Sequence, residues 1–217
     1  MTRILDQPDA IEAAVPTLTG RPDWSKVAVA GHLLGGHTAG LLLGARLTDP
    51  RDGTEVNLAD PRITAGVLLA APGRRGDAVS QFAADNYSFL LTTDFSTITT
   101  ATLVVAGDND ASPHLTVAGP KWHADPYRLG DGPKALLTLF GAEHGLGGVS
   151  GYDVAETTDE DPERLAAVQQ ITWAYLRTAL FPQDPAWNAA CDALAAAPKP
   201  QGRVDSTNST SGSGATR

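Results

Sequence analysis

The chain has little of the material from which cross-links and metal clusters are made. A single cysteine, Cys191, stands among 217 residues, which excludes an intramolecular disulfide and any cysteine-rich zinc site. Its Ala-rich helical surroundings, from Trp187 to Leu194, suit a small buried apolar residue. Positive charge is also scarce: 16 Lys and Arg oppose 25 Asp and Glu, for a formal charge of −9. That balance favours solubility and argues against a nucleic-acid backbone or an anionic membrane as partner. No apolar run is long enough for a membrane span. The first residues lack the basic, apolar, small-residue order of a leader, so a cytoplasmic location is the expectation.

What is present is enough for one core. At 42% hydrophobic, the sequence predicts a single domain over residues 1–197. Residues 198–217 turn to Pro, Ser, Thr and Gly and read as a disordered tail. The Asn208-Ser209-Thr210 sequon within it would go unused in a cytosolic protein.

Hydrophobic spacing supplies the elements. Ile4, Leu5, Ile11, Val15 and Leu18 recur at helical intervals until Pro22 and Asp23. Val27 to Ala30 is a short apolar run without alternation, which suits a parallel strand covered on both faces. Further buried strands are expected over 63–73, 101–110 and 134–144, and a helix over 34–47 closed by "TDPRDG". Residues 77–91 and 112–122 are helix-capable. Over 161–180 the sequence predicts a strong amphipathic helix, with Asp161 as cap, Pro162 and Glu163 in its first turn, and an apolar side of Leu165, Val168, Ile171, Trp173, Leu176 and Leu180. Strands alternating with helices specify an α/β fold with a mostly parallel sheet.

Three features fall at the carboxyl ends of these strands, where α/β sheets place ligands and catalytic groups. They are the corner Gly31-His32-Leu33-Leu34-Gly35, the turn Gly107-Asp108-Asn109-Asp110, and the loop Gly141-Ala142-Glu143-His144-Gly145. Corner, acid and histidine come in that order, and nucleophilic catalysis needs a histidine to take a proton and a carboxylate to hold its tautomer. A phosphate-binding loop is excluded, because no Lys-Ser/Thr follows the glycines and Gly-x-Gly-x-x-Gly is absent. His32 and His37 have no metal-ligand spacing and are assigned to packing and helix-surface hydrogen bonding; no metal or cofactor is expected.

The corner "GHLLGGHTAG" resembles the "GHSxGGxxA" nucleophile elbow of the α/β-hydrolase fold, with Leu33 in the serine's place. "LVVAGDNDASPH" resembles that family's acid loop and "LFGAEHG" its histidine loop. The subfamilies it looks most like are bacterial serine esterases of the dienelactone-hydrolase, chlorophyllase-like and polyester-hydrolase kind. The resemblance implies Asp110 as triad acid, His144 as triad base, and the Leu34 N–H as an oxyanion donor. Gly31, Gly35 and Gly36 are the small residues that the tight corner requires. It also implies a small ester or acyl ligand and a sheet made of the counterparts of strands 5–8.

Two departures bear on activity. Leu33 has no lone pair to attack a carbonyl and no proton to give His144; losing a triad nucleophile costs on the order of a millionfold in turnover. Ser112 or Ser25 would compensate only if the fold brought a hydroxyl to the apex. The family's first four strands, and the loop that carries its second oxyanion donor, have no counterpart before Val27, so the chain reads as an N-terminally truncated member. Val27 to Ala30 would then be a bare apolar edge, covered by a partner chain or by self-association. Three readings stay open: an esterase descendant with little or no activity, a non-catalytic ligand- or partner-binding protein, and an esterase in which Leu33 is a change peculiar to this copy.

Overall fold

A computed structural model describes residues 2–207 apart from 75, 154, 156 and 157. Its helices are α1 (Thr2–Leu5), α2 (Pro8–Ala14), α3 (Leu34–Leu42), α4 (Gln81–Asn86), α5 (Asp125–Leu129), α6 (Pro162–Leu180) and α7 (Ala186–Ala196). The strands are β1 (Val27–His32), β2 (Arg46–Thr48), β3 (Glu55–Asn57), β4 (Ile63–Leu69), β5 (Ala101–Gly107), β6 (Lys134–Leu139) and β7 (Gly202–Ser206). The main sheet has five strands in the order β1-β4-β5-β6-β7. The pairs β1–β4, β4–β5 and β5–β6 are parallel, and β7 runs antiparallel to β6.

Successive residues of β5 serve opposite faces, as strand geometry requires. Val104 and Ala106 join Leu41, Leu42 and Phe95 on the α3 side. Leu103 and Val105 join Val168 and Ile171 of α6 on the other. The expected α/β layers are therefore present, with the apolar runs buried between helices. Among the described residues no helix is long and apolar enough to cross a membrane.

Several elements depart from the sequence reading, each for a local reason. The first amphipathic segment is broken into α1, α2 and a 3₁₀ turn at Pro16–Leu18. Pro8 and Pro16 open the later pieces, because proline cannot donate to a preceding turn. The helix over 34–47 stops at Leu42; Gly44, at φ +117°, reverses the chain into β2. "TDPRDG" then closes the β2–β3 hairpin, with the Asp49 N–H bonded to the Thr54 carbonyl. Residues 112–122 form turns rather than a helix, and α5 follows them.

The helix at 161–180 forms as expected, with the Asp161 carboxylate accepting from the N–H groups of Glu163 and Arg164. Its buried stripe is Ala167, Val168, Ile171 and Ala174. Trp173 lies about 140° around the helix from Val168 at 3.6 residues per turn, and is 63% exposed. Residues 202–206 are strand β7 rather than disordered tail: their backbone pairs antiparallel with β6, and Val204 packs on the α6 side. The sequon lies outside the described residues. Cys191 is half-buried, and burial with nearby Asp192 pushes its thiol up to about 11.

Candidate functional site

β1 ends in a corner whose apex is Leu33, at φ 52° and ψ −118°. A branched side chain rarely adopts such a backbone, which costs on the order of 1–3 kcal/mol. Both of its peptide groups are fixed. The Leu33 N–H donates to the Leu69 carbonyl at the end of β4, and its carbonyl accepts from the His37 N–H, each at 3.0 Å. The Leu34 N–H lies in the first turn of α3, where a helix leaves its donors without intrahelical acceptors.

The corner's small-residue requirement falls on Gly31 and Gly36. A Cβ on Gly31 would stand 2.1 Å from the Gly35 carbonyl oxygen, and one on Gly36 would stand 2.9 Å from the Ala71 Cβ. Gly35, expected to be needed for space, would carry a Cβ into open surroundings. The close approach is made by the backbone of Gly35, not by the room beside its α-carbon.

The acid and histidine loops meet at the same end of the sheet. Gly107 allows this: a Cβ there would collide with the Ala142 carbonyl at 2.2 Å. The Asn109 N–H donates to that carbonyl, and the Gly141 N–H donates to the Asp108 carboxylate at 2.6 Å. Asp108 thus ties the two loops, and Asp110 faces inward. Asp110 is 1% exposed, and its Oδ2 lies 2.8 Å from His144 Nδ1. Burial by itself would raise the Asp110 carboxyl. The nearby His123 ring and the hydrogen bond from His144 outweigh it and hold the group well below the usual carboxylate range.

His144 therefore donates from Nδ1, and its Nε2 is buried with no hydrogen-bond partner. Ser112 lies on the wrong side of this ring to replace a nucleophile. Its hydroxyl donates to Asp110 Oδ1 at 2.5 Å and stands 3.3 Å from Nδ1, not beside Nε2. Ser25 is bonded to Asp23 on the loop before β1, at the opposite end of the strand. Leu33, like Tyr87 and Phe89, packs against the apolar cluster of Val79, Leu90, Leu115 and Trp122.

Two histidines take parts that the sequence did not reveal. His32 Nε2 donates to the His144 carbonyl at 2.9 Å, so it braces the site rather than a helix surface. Burial holds its imidazole below the ordinary histidine value, against that hydrogen bond. His123, on the 3₁₀ turn Pro120–Ala124, is fully buried; its Nδ1 meets the Ala71 carbonyl at 2.9 Å and its Nε2 lies 3.2 Å from Asp110 Oδ2. No spacing to the corner or the acid loop marked it. His37 is also internal, bonded through Nε2 to Thr93 Oγ1 at 2.8 Å, and burial lowers it to about 4.

Asp110, His123 and His144 bring one ligand atom each within 4.8 Å of one another, the only such group among the described residues. The 2.8 Å contact between Asp110 and His144 is that of an imidazole N–H on a carboxylate, and no metal is assigned. A groove of about 740 Å³ lies at the other end of the sheet, between α6–α7 and the starts of β5 and β6. It is lined by Tyr175, Trp187 and Cys191 and touches none of these groups.

No protein-family model matches the chain, and no curated protein matches it.

Proposed function

We propose that the chain is a relative of serine carboxylic-ester hydrolases of the α/β-hydrolase kind whose nucleophile has been replaced, leaving it with little or no hydrolytic activity. The observation that carries this reading is the conjunction at one sheet end. The backbone of Leu33 is held at φ 52° where a displayed nucleophile would stand, while His144 is bonded to Asp110 through Nδ1 and keeps an unpartnered Nε2. Strain alone does not single out the corner, since Leu146 also sits at φ 52°; what supports the reading is a strained apex at the same sheet end as an oriented imidazole.

With serine at the apex, the chemistry would be acyl transfer. His144 Nε2 would take the hydroxyl proton as oxygen attacks the ester carbonyl, and would return it to the departing alcohol. Asp110 would hold the Nδ1–H tautomer, and water activated by the same ring would release the acid. The Leu34 N–H would face the developing oxyanion; one such donor is typically worth ~10²–10³ in rate. With Leu33, attack has no atom to begin from.

The test is hydrolysis of p-nitrophenyl acetate and butyrate. The parent should show no rate that depends on His144, and Leu33→Ser should gain one that His144→Ala abolishes. A parent rate abolished by His144→Ala would show that this chain already has a nucleophile and is not inactive.

The packing of Leu33 favours a second reading, a protein that binds an acyl group or a partner without reacting. Leu33, Tyr87, Phe89 and Leu91 are all half-buried apolar residues packed against one cluster. Saturable binding of a short-chain ester by the parent, reduced by Tyr87→Ser, would support it; no binding at millimolar ester would count against it.

A further inference from the structure

His123 is an imidazole that an acid–histidine pair does not require, and its surroundings fix its protons. Its ring is fully buried, with Nδ1 2.9 Å from the Ala71 carbonyl oxygen. A carbonyl oxygen only accepts, so Nδ1 carries a hydrogen. In a neutral ring Nε2 would then be bare. That atom lies 3.2 Å from Asp110 Oδ2, off the line of a good hydrogen bond and with no other partner. A lone pair facing a carboxylate inside a protein is repulsive and has no water to relieve it.

We infer that His123 carries hydrogens on both ring nitrogens and is the buried cation that balances Asp110. One carboxylate then serves two imidazoles. Oδ2 faces His123 and His144, and Oδ1 accepts from Ser112. The titratable groups around Asp110 are His123 from the turn before α5, His144 from the loop after β6, and His32 from the end of β1. Only His123 has a carbonyl acceptor on one nitrogen and the carboxylate on the other. His32 spends Nε2 on the His144 carbonyl, and its Nδ1 faces the Ser150 hydroxyl at 3.4 Å.

The consequence is a positioning role. A carboxylate already balanced by His123 draws the Nδ1–H of His144 less strongly than a free one, while the second ring fixes which oxygen faces His144. His144 is thereby kept as the neutral Nδ1–H ring with Nε2 open. This role rests on the proposed esterase ancestry, but the proton count on His123 does not.

Nitrogen-15 NMR of the histidine rings, on the intact chain after chelator treatment at neutral pH, tests the proton count. His123 should show two protonated ring nitrogens and His144 one, at Nδ1. A His123 with a single protonated nitrogen overturns the inference. His123→Leu and His123→Gln test the positioning role separately: the His144 Nδ1 proton should move downfield in the leucine variant and stay nearer its parental position in the glutamine variant, which can still donate to Asp110. An unchanged proton in folded His123→Leu would reduce His123 to packing. If neither variant folds, the parental spectrum still decides the proton count, and activity in Leu33→Ser plays no part in that decision.

Discussion

His32 Nε2 donates to the backbone carbonyl of His144 across 2.9 Å, and the two rings stand 4.9 Å apart. The bond joins the residue before the corner's apex to the loop that carries the histidine. β1 and β6 are not neighbours in the sheet; β4 and β5 lie between them. This direct bond therefore sets the apex-to-imidazole spacing without relying on the accumulated geometry of four strands.

Replacing His32 by Phe keeps the ring and removes the donor. The His144 carbonyl loses its partner, and stability should fall by about 1–2 kcal/mol in urea unfolding. In a Leu33→Ser background, turnover should fall more than KM rises, because the histidine loop loses its register to the apex.

The two glycines that flank the apex should behave oppositely. Gly31→Ala drives a Cβ to 2.1 Å from the Gly35 oxygen, and backbone cannot move aside cheaply; the expected loss is about 3 kcal/mol or more. Gly35→Ala meets nothing within 4 Å and lies in the first turn of α3, so it should be neutral or stabilise by up to about 1 kcal/mol. Thermal unfolding of both variants checks the pair, and equal losses would show that the corner is built differently.

At Leu33 itself, strain and packing oppose each other. Leu33→Gly relieves a backbone strain of about 1–3 kcal/mol and removes a half-buried side chain worth roughly 1 kcal/mol or more. The net change should lie within about 1 kcal/mol of zero. Leu137→Gly, fully buried in regular strand β6, has no strain to release and should cost roughly 3–5 kcal/mol. Denaturant midpoints separate the two cases.

Stability should fall in two acid windows. Burial depresses His37 from 6.5 to about 4, so between those values the unfolded chain binds the proton that the folded one refuses. Lowering the pH through that window should remove on the order of 3 kcal/mol. Asp110 is depressed below the ordinary carboxylate value near 4. Its contribution is complete above that value and is lost as pH falls further, toward its folded value. His37→Gln should flatten the first window and leave the second, as read by unfolding free energy against pH.

The parts of the site that were legible in the sequence are those carried by local pattern. Apolar runs ending in glycine placed the corner, the acid loop and the histidine loop at strand ends, and the order of Leu33, Asp110 and His144 followed from the chain. What stayed hidden depends on contacts between distant segments. His123 reaches Asp110 only because the turn before α5 folds under β4 and β5, and His32 finds its acceptor across two intervening strands. β7 was masked by composition: residues 202–206 read as polar tail, yet their backbone completes the sheet edge left by β6. Gly35 shows the converse error, a glycine whose motif position suggested a steric need that its surroundings do not impose.

The most direct test of the account is covalent labelling at the apex. A fluorophosphonate should leave the parent chain unmodified, label Leu33→Ser on residue 33, and lose that label when His144→Ala is added. That result would show an elbow and an oriented base needing only the hydroxyl. A Leu33→Ser chain that folds like the parent and takes no label, or that labels equally well without His144, would contradict the reading of this corner as a nucleophile elbow.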